Sequence, residues 1–72
     1  MSKVCVIGGS GFLGSHVATQ LTKENHDVTI FDQKHSDWLE KKQKMIVGSI
    51  TDIVSLNKAL KNIDVVYNFA GL

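Results

Sequence analysis

The 72-residue sequence predicts an α/β fold, part of a doubly wound parallel sheet of four strands in the order 3-2-1-4 with flanking helices. Three observations predict it. Short β-branched, apolar runs alternate with segments whose apolar residues recur three or four apart, the pattern of strands joined by helical crossovers. The first run, Lys3–Ile7, is apolar almost throughout, as expected of a strand covered on both faces. Three closely spaced glycines then stand where this strand must give way to a helix, and glycine permits so sharp a turn.

The elements follow in order. After the strand at Lys3–Ile7, the residues Leu13, Val17, Ala18 and Leu21 mark one face of a helix running from Phe12 to about Glu24. Asn25 and His26 end it, asparagine being tolerated in the left-handed conformation that closes many helices. Val28 to Phe31 forms the second strand, finishing at Asp32. The polar stretch from Gln33 to Lys44 is expected to be a loop or one short helix, with Trp38 and Leu39 covering the sheet edge, the alternative being an exposed Trp38 that marks a contact surface. Met45 to Val47 makes a short third strand closed by Gly48. Asp52 has the character of a helix N-cap, and Ile53, Leu56, Ala59, Leu60 and Ile63 follow at helical spacing. Lys58 and Lys61 fall where they complement the negative end of that helix. Val65 to Phe69 is the fourth strand.

Composition narrows the function. The hydrophobic content of 43% is that of a globular chain, not a disordered one. A chain this short buries only about 60% of the surface its unfolded form exposes, so marginal stability is expected. A formal charge of +1 gives no reason to expect nucleic acid or a membrane surface as partner. All eight cationic residues are lysines, so bidentate guanidinium clamps cannot come from this chain. Cys5 is the single cysteine, which excludes an intrachain disulfide. Its place in an apolar run makes it a buried structural thiol. His16, His26 and His35 lack ligand spacing, so no metal site is expected. Neither a basic-apolar leader nor a run of about 20 apolar residues occurs, and the expected location is cytoplasmic.

The glycine run carries the chemistry. Gly9-x-Gly11-x-x-Gly14 fits the dinucleotide fingerprint, and Gly8-x-x-Gly11-x-x-Gly14 fits a longer variant. A strand before it and a helix behind it give the required setting. The glycines let a phosphate approach the main chain, and the helix start turns unpaired amides and a positive dipole end toward the anion. A nucleotide-triphosphate loop fails, because Ser15-His16 stands where it needs lysine followed by serine or threonine. Asp32 ends the second strand about twenty residues further on, where a carboxylate can accept hydrogen bonds from an adenosine ribose. The same charge repels a 2′-phosphate, so the expected cofactor is NAD and not NADP.

Gly8-Gly9-Ser10-Gly11-Phe12-Leu13-Gly14-Ser15-His16, with Asp32, the Gly48-Ser49-Ile50-Thr51-Asp52 segment and Tyr67-Asn68-Phe69-Ala70-Gly71-Leu72 in matching order, resembles the extended short-chain dehydrogenase/reductases. Within them it is similar to the NAD-dependent nucleotide-sugar epimerase/dehydratase branch. The resemblance covers the whole chain but only the amino-terminal part of a family member. It implies a partial Rossmann fold over residues 1–72. It further implies that Gly8, Gly11 and Gly14 with the amides of Phe12 and Leu13 meet the pyrophosphate, and that Asp32, with Gln33 beside it, meets the adenosine ribose. Ser49 and Ile50 would lie at the adenine, and Phe69, Ala70 and Gly71 would line the wall near the nicotinamide. Two positions depart from the family pattern. Ile7 replaces a threonine, and Ser49 replaces an aspartate that bonds the adenine amino group.

The family's chemistry uses a tyrosine followed four residues later by a lysine. Here Tyr67, the only tyrosine, is followed at that distance by Gly71. The expectation is therefore an NAD-binding piece of a larger epimerase or dehydratase, not catalytically competent alone, with the nucleotide-sugar substrate bound only by a full-length parent. The alternative is a non-catalytic dinucleotide-binding or regulatory module of the same fold. The fourth strand is expected to present an unpaired apolar edge and to drive self-association.

Overall fold

A computed structural model describes residues 1–70 of the chain. Six elements follow one another as β1 (Lys3–Ile7), α1 (Phe12–Lys23), β2 (Asp27–Asp32), β3 (Lys44–Val47), α2 (Ile53–Leu60) and β4 (Val65–Asn68). The four strands form one parallel sheet in the order β3-β2-β1-β4, so the partial Rossmann architecture expected from the sequence is the one observed. Val6 sits between Ile30 on one side and Tyr67 on the other.

Alternation along the strands divides the core into two layers. Val4, Val6, Val28 and Ile30 pack with Ala18 of α1, joined by the partly buried Leu21, Leu39, Met45 and Phe69. Cys5, Ile7 and Phe31 pack with Ala59 of α2 on the other face, joined by Ile46, Leu56, Leu60, Ile63 and Ala70. Burial pushes the Cys5 thiol up to about 11, so it stays protonated and serves as a small apolar filler. Asn25 and Asn62 both take positive φ, of 67° and 61°, and close the turns after α1 and α2. The second turn ends α2 at Leu60, short of Ile63, although Ile63 still packs on the core.

Three local expectations, at Leu13, Ile53 and Trp38, require correction. Leu13 is 61% exposed, and α1 instead turns Gly14, Ser15, Ala18 and Thr22 inward. Ile53, the first residue of α2, is likewise exposed. Residues 33–43 form turns, the loop of the two alternatives expected there. They are pinned from inside by Gln43, whose Nε2 donates to Thr22 Oγ1 at 3.0 Å, and by Ser36, whose Oγ accepts from the Trp38 amide at 3.1 Å. Trp38 leaves the sheet edge to Leu39 and lies beside Phe12, Ser15, His16 and Thr19 of α1. No helix among the described residues is long and apolar enough to cross a membrane.

Candidate functional site

Three turns meet at the carboxyl end of the sheet: the glycine turn after β1, Asp32-Gln33 after β2, and Gly48–Ile50 after β3. Together with the end of β4 they enclose a cleft of about 250 Å³ lined by Ile7, Gly8, Phe31, Asp32, Gln33, Gly48, Ile50 and Ala70. Parallel strands make this possible, since every strand delivers its following turn to the same edge.

The glycines are not equivalent. Gly8 has φ of +80°, and a Cβ there would lie 2.6 Å from Ala70 N and from the Phe69 carbonyl carbon. At Gly9 a Cβ would come within 2.8 Å of the Ile30 side chain, and at Gly14 it would strike the carbonyl oxygen of Gly8. These three are required by the protein's own packing. Gly11 is different. Its backbone is ordinary extended chain, with φ of −75° and ψ of 171°, and its Cβ position meets nothing nearer than the Gly8 oxygen at 3.7 Å. Neither strain nor internal crowding demands glycine at this position.

The two helix starts also differ. Asp52 caps α2, its Oδ1 accepting from the amides of Val54 and Ser55 and its Oδ2 from Ser55 Oγ at 2.8 Å. Those hydrogen bonds, the Ser55 hydroxyl foremost, hold its carboxyl below the usual range. Gly11 offers α1 no side chain, and no acid stands in the first turn of α1. The leading amides of Phe12, Leu13 and Gly14 are thus left for an external acceptor.

Asp32 ties this start to β2. Its Oδ2 accepts from the Ser10 amide at 3.0 Å and its Oδ1 from the Gln33 amide at 2.7 Å. Each carboxylate oxygen keeps a further lone pair for a ligand hydroxyl. Ser10 Oγ donates to the Lys34 carbonyl and closes the same junction. Sequence reasoning missed both Ser10 and Gly48 as site residues. The signal available for Gly48 was a glycine immediately after a strand. A Cβ there would lie 2.8 Å from Ser55 Cβ and 3.1 Å from the Phe31 ring, so glycine lets α2 close against the strand end.

The remaining expected residues divide. Ile50, Gln33 and Ala70 line the cleft. Phe69 extends β4, its amide donating to the Ile7 carbonyl at 2.6 Å. Ser49 turns along the chain, its Oγ meeting Thr51 Oγ1 at 2.8 Å and accepting from the Thr51 amide at 3.2 Å. The Phe12 side chain stands 73% exposed outside the cradle, edge-on to His16 with ring centroids 5.1 Å apart. Gly71 lies outside the described residues.

This geometry has counterparts among known proteins. The UDP-glucose 4-epimerase of Lactobacillus helveticus is 40% identical over 96% of this chain, which spans 22% of that protein. A crystal structure of UDP-glucose 4-epimerase superposes with a TM-score of 0.88 at 28% identity, over 97% of this chain and 23% of that one. The UDP-glucose-4-epimerase of Stenotrophomonas maltophila, solved with NAD and formylated UDP-arabinopyranose, gives a TM-score of 0.84 at 27% identity over 100% of this chain and 25% of its own. The chain thus spans about a quarter of the length of these relatives. Residues 4–72 match the model of the NAD dependent epimerase/dehydratase family. With an uncapped helix start behind its glycine turn, an acid at the end of β2 and this match over nearly its whole length, the chain belongs to the NAD dependent epimerase/dehydratase family.

Proposed function

We infer that this chain binds NAD through the cleft at the carboxyl end of its sheet and forms the cofactor-binding portion of an enzyme acting on a nucleotide sugar. The observation that carries the reading is the start of α1: an uncapped helix entered through a glycine that the fold itself does not need. Space at Gly11 and free amides at Phe12 and Leu13 suit a pyrophosphate, which brings charge without a donor of its own. Asp32, one strand over, is at the right side to accept from the adenosine ribose, with Gln33 beside it. Ser49 and Ile50 follow at the base. Phe69 and Ala70 stand on the opposite side, toward the nicotinamide.

NAD, when bound, supplies a hydride acceptor. The chain's own residues then orient it: the turn fixes the phosphates, the carboxylate fixes the ribose, and the end of β4 walls the far side. Tyr67 lies inside β4, in register with Val6, and has no lysine four residues on. Tyr67 is thus not the tyrosine of a Tyr-x-x-x-Lys pair, and the role given to these residues is cofactor binding.

Calorimetric titration tests the reading. NAD is expected to bind and NADP to bind more weakly; equal affinity removes the role given to Asp32. Gly11→Ala is the sharper variant. Its folding cost is at most about 1 kcal/mol, the scale of an N-cap change, while a methyl group in the phosphate space should abolish binding. A Gly11→Ala protein that folds and still binds NAD with wild-type affinity would sink the proposal.

Self-association is a second element of the proposal. β4 pairs only with β1 among the described strands, and Val65, Val66 and Tyr67 are 41%, 47% and 39% exposed. Such an edge pairs readily with another strand, and a second copy of this chain is the expected partner. Light scattering at micromolar concentration should give at least a dimer, and a monodisperse monomer would refute it.

A further inference from the structure

We propose that the opposite end of the sheet carries a second binding site, a cleft for a short oligophosphate between the amino ends of β1, β2 and β3 and the carboxyl end of α2. The inference does not depend on the dinucleotide reading. Parallel strands start at one edge of the sheet, so the residues that open β1, β2 and β3 are neighbours. Lys3 stands in register with Asp27, and Thr29 with Lys44. Alternation turns these four side chains to the face of Cys5 and Phe31, which α2 covers. α2 ends there, with Lys58 in its last turn and Lys61 at its C-cap. All six residues line one cleft of about 280 Å³.

Four of the chain's eight lysines thus surround a single cleft. The groups that could consume their charge fall short of doing so. Asp27 is the one acid in the lining, and its Oδ2 lies 3.6 Å from Lys44 Nζ, the single ion pair among the described residues. Asp64 stands outside the lining and serves the main chain, its Oδ2 accepting from the Lys3 amide at 2.9 Å. The negative end of α2 amounts to about half a charge, which one lysine offsets. Asn62 adds an uncharged amide to the lining. Lys3, Lys58 and Lys61 therefore keep ammonium groups with no carboxylate at ion-pair distance among the described residues.

A second observation points the same way. Thr29 is only 7% exposed, and its hydroxyl has no hydrogen-bond partner among the described residues, yet it is not sealed into the core. It opens on this cleft. Buried hydroxyls ordinarily have a partner, and an anion held by the lysines supplies the missing acceptor. Ammonium groups bind phosphate as point charges where no guanidinium is present. A nucleic acid or a membrane would need an extended basic surface, whereas this chain totals only +1. Several ammonium groups around so small a space suit two or three linked phosphates.

Titration of the isotope-labelled chain with tripolyphosphate, followed by amide chemical shifts, tests the site. Saturable shifts are expected at Thr29, at Lys44 and from Lys58 to Asn62. Absence of saturation overturns the proposal, and so do shifts confined to Gly8–Gly14, which would put the anion at the glycine turn. Joint Lys58→Gln and Lys61→Gln substitution should weaken binding about tenfold or more while NAD binding is unchanged. Joint Lys41→Gln and Lys42→Gln substitution removes the same charge from the loop before β3 and should leave tripolyphosphate affinity within about twofold. Equal losses in the two double variants mean attraction by net charge alone and overturn the site. Thr29→Val keeps the shape of the side chain and should weaken binding about threefold to tenfold, the scale of one hydrogen bond. Unchanged affinity in a folded Thr29→Val chain also overturns the assignment. Metal-free ATP separates the sources of the ligand: binding no tighter than that of tripolyphosphate assigns the site to the free phosphate chain, and tighter binding assigns it to a nucleoside triphosphate.

Discussion

The two halves of the sheet are built from similar sequences and meet different fates. β1 and β2 are buried at nearly every position, whereas β3 is only partly covered and β4 is exposed throughout. β1 and β2 are paired on both sides and β3 and β4 on one, and cover differs in the same direction. α1 packs on β1 and β2, and α2 packs on β2 and β3, which leaves β4 with little over either face. Fully burying a valine is worth about 1.5–3 kcal/mol. Val4 and Val6 are nearly inaccessible and realise that gain, while Val65 and Val66 keep a large part of their surface in water. The central strands therefore hold the fold, and the outer strands complete the site's edge.

Phe31→Ala should break this contrast most severely. The ring is wholly buried between β1 and α2, and truncating a buried phenylalanine costs about 3–5 kcal/mol. That rivals the entire stability expected of so small a chain, so the cooperative transition in urea followed by circular dichroism should disappear. Gly14→Ala comes next. Its methyl group would strike the Gly8 carbonyl and lie 2.9 Å from Gly9 Cα. A loss of about 1–3 kcal/mol is expected from such overpacking, and NAD titration should show binding lost with it.

Asp52→Ala probes the less covered half. Loss of this cap should lower the melting temperature by roughly 4 °C near neutral pH. The sign of its pH dependence follows from the lowered carboxyl pKa. The folded state favours the ionised form, so the contribution is complete above the unfolded value of 3.8 and fades as the pH falls through the lower folded value. Wild type and variant should converge in acid. Val66→Ala is the smallest effect, at about 0.5 kcal/mol or less, because main-chain pairing along the β4 edge leaves the faces of that strand open. A cost several times larger in equilibrium unfolding would mean that a partner covers β4.

Most of the architecture is legible in the sequence because two local signals agree with the topology. The uninterrupted apolar run of β1 announces a strand with two covered faces, and the glycine turn marks its carboxyl end. Asp32 and Asp52 are legible for the same reason, each being a short polar residue at the end or start of an element. Leu13 and Ile53 are not legible as exposed, because hydropathy spacing fixes a helix but not its rotation. Close approach of Gly14 to Gly8 sets the rotation of α1, and this turns Gly14, Ala18 and Thr22 inward and Leu13 outward. Gln43 and Ser36 escape notice because they are polar residues buried by hydrogen bonds internal to a loop, which composition reads as solvent-facing. At Ser49, only the side-chain geometry reveals that its hydroxyl is engaged with its own turn.

Gly8 links the two ends of the cleft. Its Cα is wedged between the turn after β1 and the backbone of Phe69 and Ala70, with no room for one more carbon. The interval between the glycine turn and the β4 wall is thus a fixed gauge, set by contact between main chains and not by any side chain that could be exchanged. Selection for a longer or bulkier cofactor could remodel the Asp32 or Ile50 end freely. It could not widen the cleft at Gly8 without separating β1 from β4, and there the molecule has no adjustable part.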